Sequence, residues 1–210
     1  GNFVTYALGS MVVLKNLKTE KEAFLDGHTL DISCVKVSHD GRYAASGQIS
    51  NMGVKADVIV WDIEKAIQLC NSGNVMIGED CCLHRLKQHL GKVQDLDFSN
   101  NDEYLATLGG QDDNALVVWR VSNGEALCGA PAAADCAYAC KWLNGREDRI
   151  VSAGAYNIRV WQVDFSHPKL YPLDAKLGNV RRIVTCISIT EDDHFAYCGT
   201  KTGDVLKVKI

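Results

Sequence analysis

The sequence predicts an all-β fold assembled from repeated four-stranded blades, and three observations carry that prediction. Bulky anchors recur at Leu14, Trp61, Trp119, Trp161 and Val208, 47, 58, 42 and 47 residues apart. Each anchor ends or nearly ends a β-branched run: Met11–Leu14, Val58–Trp61, Leu116–Trp119, Ile158–Trp161 and Val205–Val208. Between anchors the chain repeats one order of parts: an alternating apolar run, a polar turn, a small-residue strand and a second turn. A period in the forties with four strands per unit is the mark of a β-propeller of the WD40 type.

Taken in order, residues 1–26 read as a partial blade whose three strands hold the second, third and fourth places. Residues 27–70 read as a blade, 71–87 as an inserted loop leading to the next one, and 88–128 and 129–173 as two more blades. Residues 174–210 supply a further partial blade with the first three strands. The total is about four and a half blades. Joining the two ends would duplicate the second and third strands, and an open arc leaves a blade edge unpaired. The chain therefore reads as an arc of a larger ring. Its first residues, Gly1-Asn2-Phe3-Val4, lack a starting Met and a signal-peptide pattern, which fits a piece of something longer.

Finer marks locate the groups that should hold each blade together. Gly27-His28 precedes a first strand and Trp61-Asp62 closes the third; His89 occupies the equivalent place one blade on. In this repeat class a His, a Ser or Thr, an Asp and the Trp form a hydrogen-bonded chain that pins loops to strands. The expected sets are His28–Ser46–Trp61 and His89–Thr107–Asp113–Trp119, with Asp112 an alternative to Asp113. The first set lacks its Asp, because Lys55 stands there, and the blade ending at Trp161 lacks both the His and the Asp. These six histidines are read as structural rather than as acid–base or metal groups.

Composition narrows the function. Lys plus Arg is 22 and Asp plus Glu is 26, a net charge of −4 in 210 residues. That balance predicts no nucleic-acid and no anionic-membrane partner, and no apolar run reaches the ~18 residues of a membrane span. The nine cysteines are irregularly spaced with no C-x-x-C, so they read as reduced, buried thiols; Cys81 and Cys82 are read as ordinary loop residues, though of the nine they are the best placed to react. There is no G-x-S-x-G, no phosphate-cradling glycine loop and no H-E-x-x-H. Gly109–Asn114 resembles a calcium or phosphate loop only superficially, since strand-like runs flank it on both sides. No catalytic residue, cofactor, metal or small-molecule substrate is predicted.

Loops then become the candidate binding groups. The enlarged second-to-third connection at Gln48–Asp57 and the 71–87 stretch, read as a fourth-to-first connection, would share one rim. The candidate docking residues there are Gln48, Asn51, Met52, Lys55, Asn74, Met76, Gln111, Asp112 and Pro131. The opposite rim is acidic, with Asp40, Asp102, Glu103, Glu147, Asp148, Glu191, Asp192 and Asp193 in first-to-second turns, and is read as turn chemistry.

Four stretches outside the general repeat pattern resemble one family. They are Ala45–Gln48 with Asn51–Asp57, Tyr104-Leu105 with Leu108–Asp113, Cys128–Ala133, and Gly199-Thr200 with Thr202–Lys207. Together they are similar to the cilia- and flagella-associated protein 52 family of motile cilia, over about Phe3 to Lys207. The resemblance implies a protein of two tandem propellers, this chain being an arc of the N-terminal, seven-bladed one. It further implies a non-enzymatic scaffold in the cytoskeleton of the ciliary axoneme. Such a protein would be a microtubule inner protein bound to the luminal wall of the doublet B-tubule, touching tubulin and neighbouring inner proteins. The residues alone also admit a related centriolar or microtubule-associated WD-repeat protein, or a soluble adaptor such as a substrate receptor or signalling scaffold.

Overall fold

A computed structural model describes residues 2–210, which form nineteen strands, one α-helix and one 3-10 turn. The chain divides into two compact units, one through Val93 and one from Gln94 onward. The first unit opens with β1 (Phe3–Leu8), β2 (Met11–Asn16) and β3 (Glu22–Asp26), an antiparallel set that forms blade I. Blade II follows with β4 (Ile32–Val37), β5 (Tyr43–Gln48) and β6 (Val58–Asp62). After these come α1 (Ile63–Asn71), β7 (Met76–Ile77), the 3-10 turn (Glu79–Cys81) and β8 (Cys82–Leu86), which completes blade II in the order β4-β5-β6-β8.

The second unit holds three blades. Blade III comprises β9 (Val93–Phe98), β10 (Tyr104–Gly109), β11 (Ala115–Arg120) and β12 (Glu125–Pro131). Blade IV comprises β13 (Ala137–Trp142), β14 (Arg149–Gly154), β15 (Ile158–Asp164) and β16 (Lys169–Asp174). Blade V has three strands, β17 (Val184–Ile189), β18 (Phe195–Thr200) and β19 (Val205–Lys209). The blade reading of the repeat is what the chain adopts: five sheets, four of them four-stranded.

Middle strands are buried on both faces, which explains their composition. From Ala44 to Gln48 and from Val58 to Trp61 every residue is buried, so these runs are continuous rather than alternating. The small residues of the second strands admit close neighbours. A Cβ on Gly47 would lie 2.5 Å from Val93 Cβ, and one on Gly199 would lie 2.6 Å from Cys186 Sγ. Burying side chains such as Trp61, Leu14 and Ile59, all 0% exposed, contributes about 1.5–3 kcal/mol each.

The largest departure from the sequence reading lies between β6 and β8. The fourth strand of blade II was expected before residue 71, with a loop over 71–87. Instead residues 63–71 are helical and the fourth strand is β8, at Cys82–Leu86. Asp62 caps the helix by accepting from Lys65 N at 2.9 Å, and Glu64 sits in the positive first turn. Ile63, Ala66, Ile67 and Cys70 recur at helical spacing and pack into one cluster with Val12, Leu14, Leu25 and Trp61. Beyond the helix, β7 pairs in parallel with β3, Phe24 opposite Met76 and Leu25 opposite Ile77. Blade I thus takes its outermost strand from the insertion of blade II.

This placement corrects two further expectations. The insertion leaves from the end of β6 at Asp62, whereas the Gln48–Asp57 connection enters at Val58, the other end of the same strand. The two enlarged segments therefore do not share a rim. Cys81 and Cys82 are not loop residues: Cys81 is 1% exposed and Cys82 begins β8. Burial pushes the Cys81 thiol up to about 11, the reverse of a reactive thiol.

The first-to-second turns of blades II, III and V share one design. Ser38 Oγ donates to Asp40 Oδ1 and accepts from Tyr43 N, while Arg42 N donates to Asp40 Oδ1. Ser99 with Asn101 and Thr190 with Asp192 repeat the set. The hydrogen bond from Thr190, with the His194 amide, holds the Asp192 carboxyl below its usual range. Neighbouring first strands in the second unit are stitched by carboxylates. Asp97 accepts from Trp142 N and pairs with Lys141 at 2.9 Å, and Asp95 accepts from Cys140 N.

Candidate docking rim

In blades II, III and IV one polar slot on the second strand faces the Trp anchor of the third strand. Ser46 pairs with Ile59, Thr107 with Val117 and Ser152 with Arg159, and the Trp lies two residues further on each time. Because strand side chains alternate, that offset puts hydroxyl and indole on one face. Trp61 Nε1 donates to Ser46 Oγ at 2.7 Å, Trp119 to Thr107 Oγ1 at 2.8 Å and Trp161 to Ser152 Oγ at 2.8 Å. Ser152 went unassigned in the sequence because its blade has neither the His nor the Asp; the strand register reveals it. In blade V the same slots hold Cys198 and Val208, and in blade I Ala7 and Leu14.

His28 extends this chain in blade II. Its Nε2 lies 2.7 Å from Ser46 Oγ and its Nδ1 lies 3.2 Å from Gln48 Oε1, which also accepts from Thr29 N. Gln48, at 3% exposed, therefore belongs to the interior and not to a docking surface. It occupies the side of His28 where the missing Asp would be expected to act. Burial, followed by the nearby Arg85 charge, lowers the His28 pKa to about 4 despite the Gln48 hydrogen bond. His89 and Thr107 are fully buried. The Asp113 carboxylate is pressed onto Gly109, where a Cβ would sit 1.7 Å from Oδ1.

Arg85 on β8 carries a load the sequence did not announce. It donates to Gly27 O at 2.8 Å, Asp57 at 3.1 Å and Glu79 at 3.0 Å, tying three segments of blade II together. Gly27 must be glycine here, since a Cβ would lie 2.7 Å from the Trp61 ring.

The Gln48–Asp57 connection folds flat onto the segment that follows β8. Ser50 N donates to Gly91 O, Gly91 N to Val54 O and Ala56 N to His89 O, with bridges at Ile49–Lys92 and Lys55–Leu90. Lys55 Nζ adds a bond to Gln88 O at 3.3 Å. These bonds fix the loop as a small sheet whose tip presents Met52 at 88% exposed, flanked by exposed Asn51 and Val54. Asn74 and Met76 are also exposed, but they lie on the outer edge of blade I.

In the second unit the corresponding connections are stitched into one ledge. Asn114 Nδ2 donates to Ala133 O at 2.9 Å and also to Asp135 O, and Asn114 Oδ1 accepts from Ala137 N. Ala155 N donates to Cys136 O, Tyr156 N to Arg182 O and Lys201 N to Ile183 O. Gln111 and Asp112 are exposed on this ledge. Pro131, named as a docking-rim residue, ends β12 opposite Ala115, with its ring exposed.

Comparison with known proteins places this architecture. The WD domain, G-beta repeat model matches residues 19–62 and 80–120. Cilia- and flagella-associated protein 52 of Chlamydomonas reinhardtii is 42% identical over 211 residues, covering 100% of this chain and 32% of that protein. The chain is a WD40-repeat protein homologous to cilia- and flagella-associated protein 52. The Homo sapiens protein of that name is 39% identical over 206 residues, 97% of this chain and 31% of its own length. This chain thus spans about a third of these relatives. Among solved structures, a chain in the "Crystal Structure of Mitotic Checkpoint Complex" matches 98% of this chain and 59% of its own, with TM-score 0.76 and 16% identity. That likeness speaks for the fold alone.

No group of three or more His, Cys, Asp or Glu among the described residues could hold a metal ion, and no helix is long and apolar enough to cross a membrane.

Proposed function

We propose that this chain is a non-catalytic docking module of a ciliary or flagellar protein. The observation that carries the reading is the Gln48–Asp57 connection. Its backbone is braced against residues 88–92, yet its tip offers Met52 and Val54 to solvent. A rigid platform with an exposed apolar tip suits binding by shape, because little conformational freedom is lost on contact. The ciliary setting rests on the 39–42% identity to cilia- and flagella-associated protein 52.

The finer reading is that of a microtubule inner protein. The whole protein would line the luminal wall of the doublet B-tubule, touch tubulin and neighbouring inner proteins, and reinforce the axoneme mechanically. A net charge of −4 supports binding through shape rather than through a polybasic patch.

The test is localisation of tagged full-length protein in ciliated cells, followed by high-salt extraction of axonemes. Retention with the doublets is expected, and a diffuse signal or release with the soluble matrix overturns the inner-wall reading. A Met52→Ser, Val54→Ser variant should fold normally and lose retention; unchanged retention removes this tip from the interface.

A further inference from the structure

Two open clefts meet at Tyr156 on the ledge of the second unit. The first, about 480 Å³, includes Asp112, Asp113, Asp135 and Tyr138 in its wall and has no Lys or Arg. The second, about 350 Å³, is formed by Tyr156, Arg181, Arg182, Ile183, Lys201 and Thr202 and has no Asp or Glu. Arg181, Lys201 and Asp135 are exposed, while Arg182 is held by an ion pair with Asp204.

The two halves are parts of one built surface. The backbone bonds from Ala155 to Cys136, Tyr156 to Arg182 and Lys201 to Ile183 join residues that line the two clefts. Tyr156 is held at φ +60 and is 53% exposed, so its ring stands on the shared wall. A bulky side chain in the left-handed region is uncommon and needs such surrounding support.

We propose that these paired clefts bind an extended protein segment of mixed charge. A basic side chain of the segment would sit beside Asp112 and Asp135, and an acidic one beside Arg181 and Lys201. The inference deepens the docking reading above and rests on it. Opposite charge at the two ends favours one direction of the bound segment and rejects the reverse, the usual service of charge in recognition. It also disfavours nucleic acid, whose phosphates would meet the aspartates.

Fluorescence anisotropy on the whole 210-residue chain tests this with short Gly/Ser peptides carrying a Lys pair, a Glu pair, or both in either order. One mixed-charge order should bind about tenfold tighter than either single-charge peptide, and the advantage should shrink at high salt. Asp112→Asn with Asp135→Asn should abolish the benefit of the Lys pair alone. Arg181→Ser with Lys201→Ser should abolish that of the Glu pair alone. Equal binding of all peptides, indifference to both variants, or tightest binding by a Lys-only peptide or by duplex DNA overturns the proposal. The four-fold variant, placed in full-length protein, should lose axonemal retention. If it is retained like the wild type, the clefts are not the docking site although the ciliary reading stands; if the wild type itself is not ciliary, that reading fails first.

Discussion

Trp61 Nε1 and His28 Nε2 converge on a single oxygen, Ser46 Oγ, each at 2.7 Å. The hydroxyl therefore couples the third strand of blade II to the turn that precedes its first strand. The indole can only donate, so the Ser46 oxygen accepts from it and keeps its own proton for the imidazole.

Ser46→Ala should consequently cost more than the same change in blade IV. It leaves the buried Trp61 indole and the buried His28 ring without their shared partner, whereas Ser152→Ala strips only the Trp161 indole. Losses of about 2–4 kcal/mol and about 1–2 kcal/mol are expected, read from urea midpoints at constant slope.

Acid should destabilise the first unit through His28. Its pKa of about 4 in the folded chain lies below the ordinary 6.5, so between those values the unfolded chain binds the extra proton. Stability is fully present above pH 6.5 and is lost as pH falls towards 4, by up to about 3 kcal/mol. A His28→Gln variant should start less stable and show a flatter profile across that window in equilibrium denaturation.

Gly154→Ala should disrupt the ledge of the second unit. The added Cβ would lie 2.1 Å from Cys136 O and 2.5 Å from Ala137 Cα, both backbone atoms that cannot swing aside. A loss above about 2 kcal/mol is expected, whereas Gly41→Ala meets no neighbour and should show only the smaller cost of its φ of +77. Thermal midpoints of the two variants should separate accordingly.

Ile77→Ala should open the outer edge of blade I. Ile77 is 1% exposed in the cluster with Val12, Leu14 and Leu25, so its truncation should cost about 2–4 kcal/mol. The Phe24 amide, which donates to Val75 O at 2.7 Å, should then exchange faster in hydrogen-exchange measurements. Unchanged protection of Phe24 would mean that β7 is held independently of Ile77.

The repeat made the blades legible because anchors such as Trp61 and Trp119 fall at fixed places in buried third strands. Helix α1 was legible too, through the Asp62 cap and the spacing of Ile63, Ala66, Ile67 and Cys70, but the expectation of a fourth strand at that distance from Trp61 masked it. No short-range signal could find β7: its pairing with β3 depends on the returning path of the insertion. Gln48 was misplaced for a similar reason. A polar residue at a strand end reads as surface unless its buried acceptor role towards His28 and Thr29 is known. The ledge residues Arg181 and Lys201 escaped notice because their shared cleft joins two connections separated by blade V's first two strands.

The pairing of β3 with β7 also sets an order of assembly. Leu25 meets Ile77 only after the whole of α1 has formed or passed, so blade I has an open outer margin while the intervening chain is made. At roughly 5–20 residues per second on the ribosome, that interval lasts several seconds. Blade I then gains its outer strand as blade II is completed, in one long-range closure rather than by zipping from one repeat to the next. A ribosome that stalls within α1 would therefore leave not one unfinished blade but two.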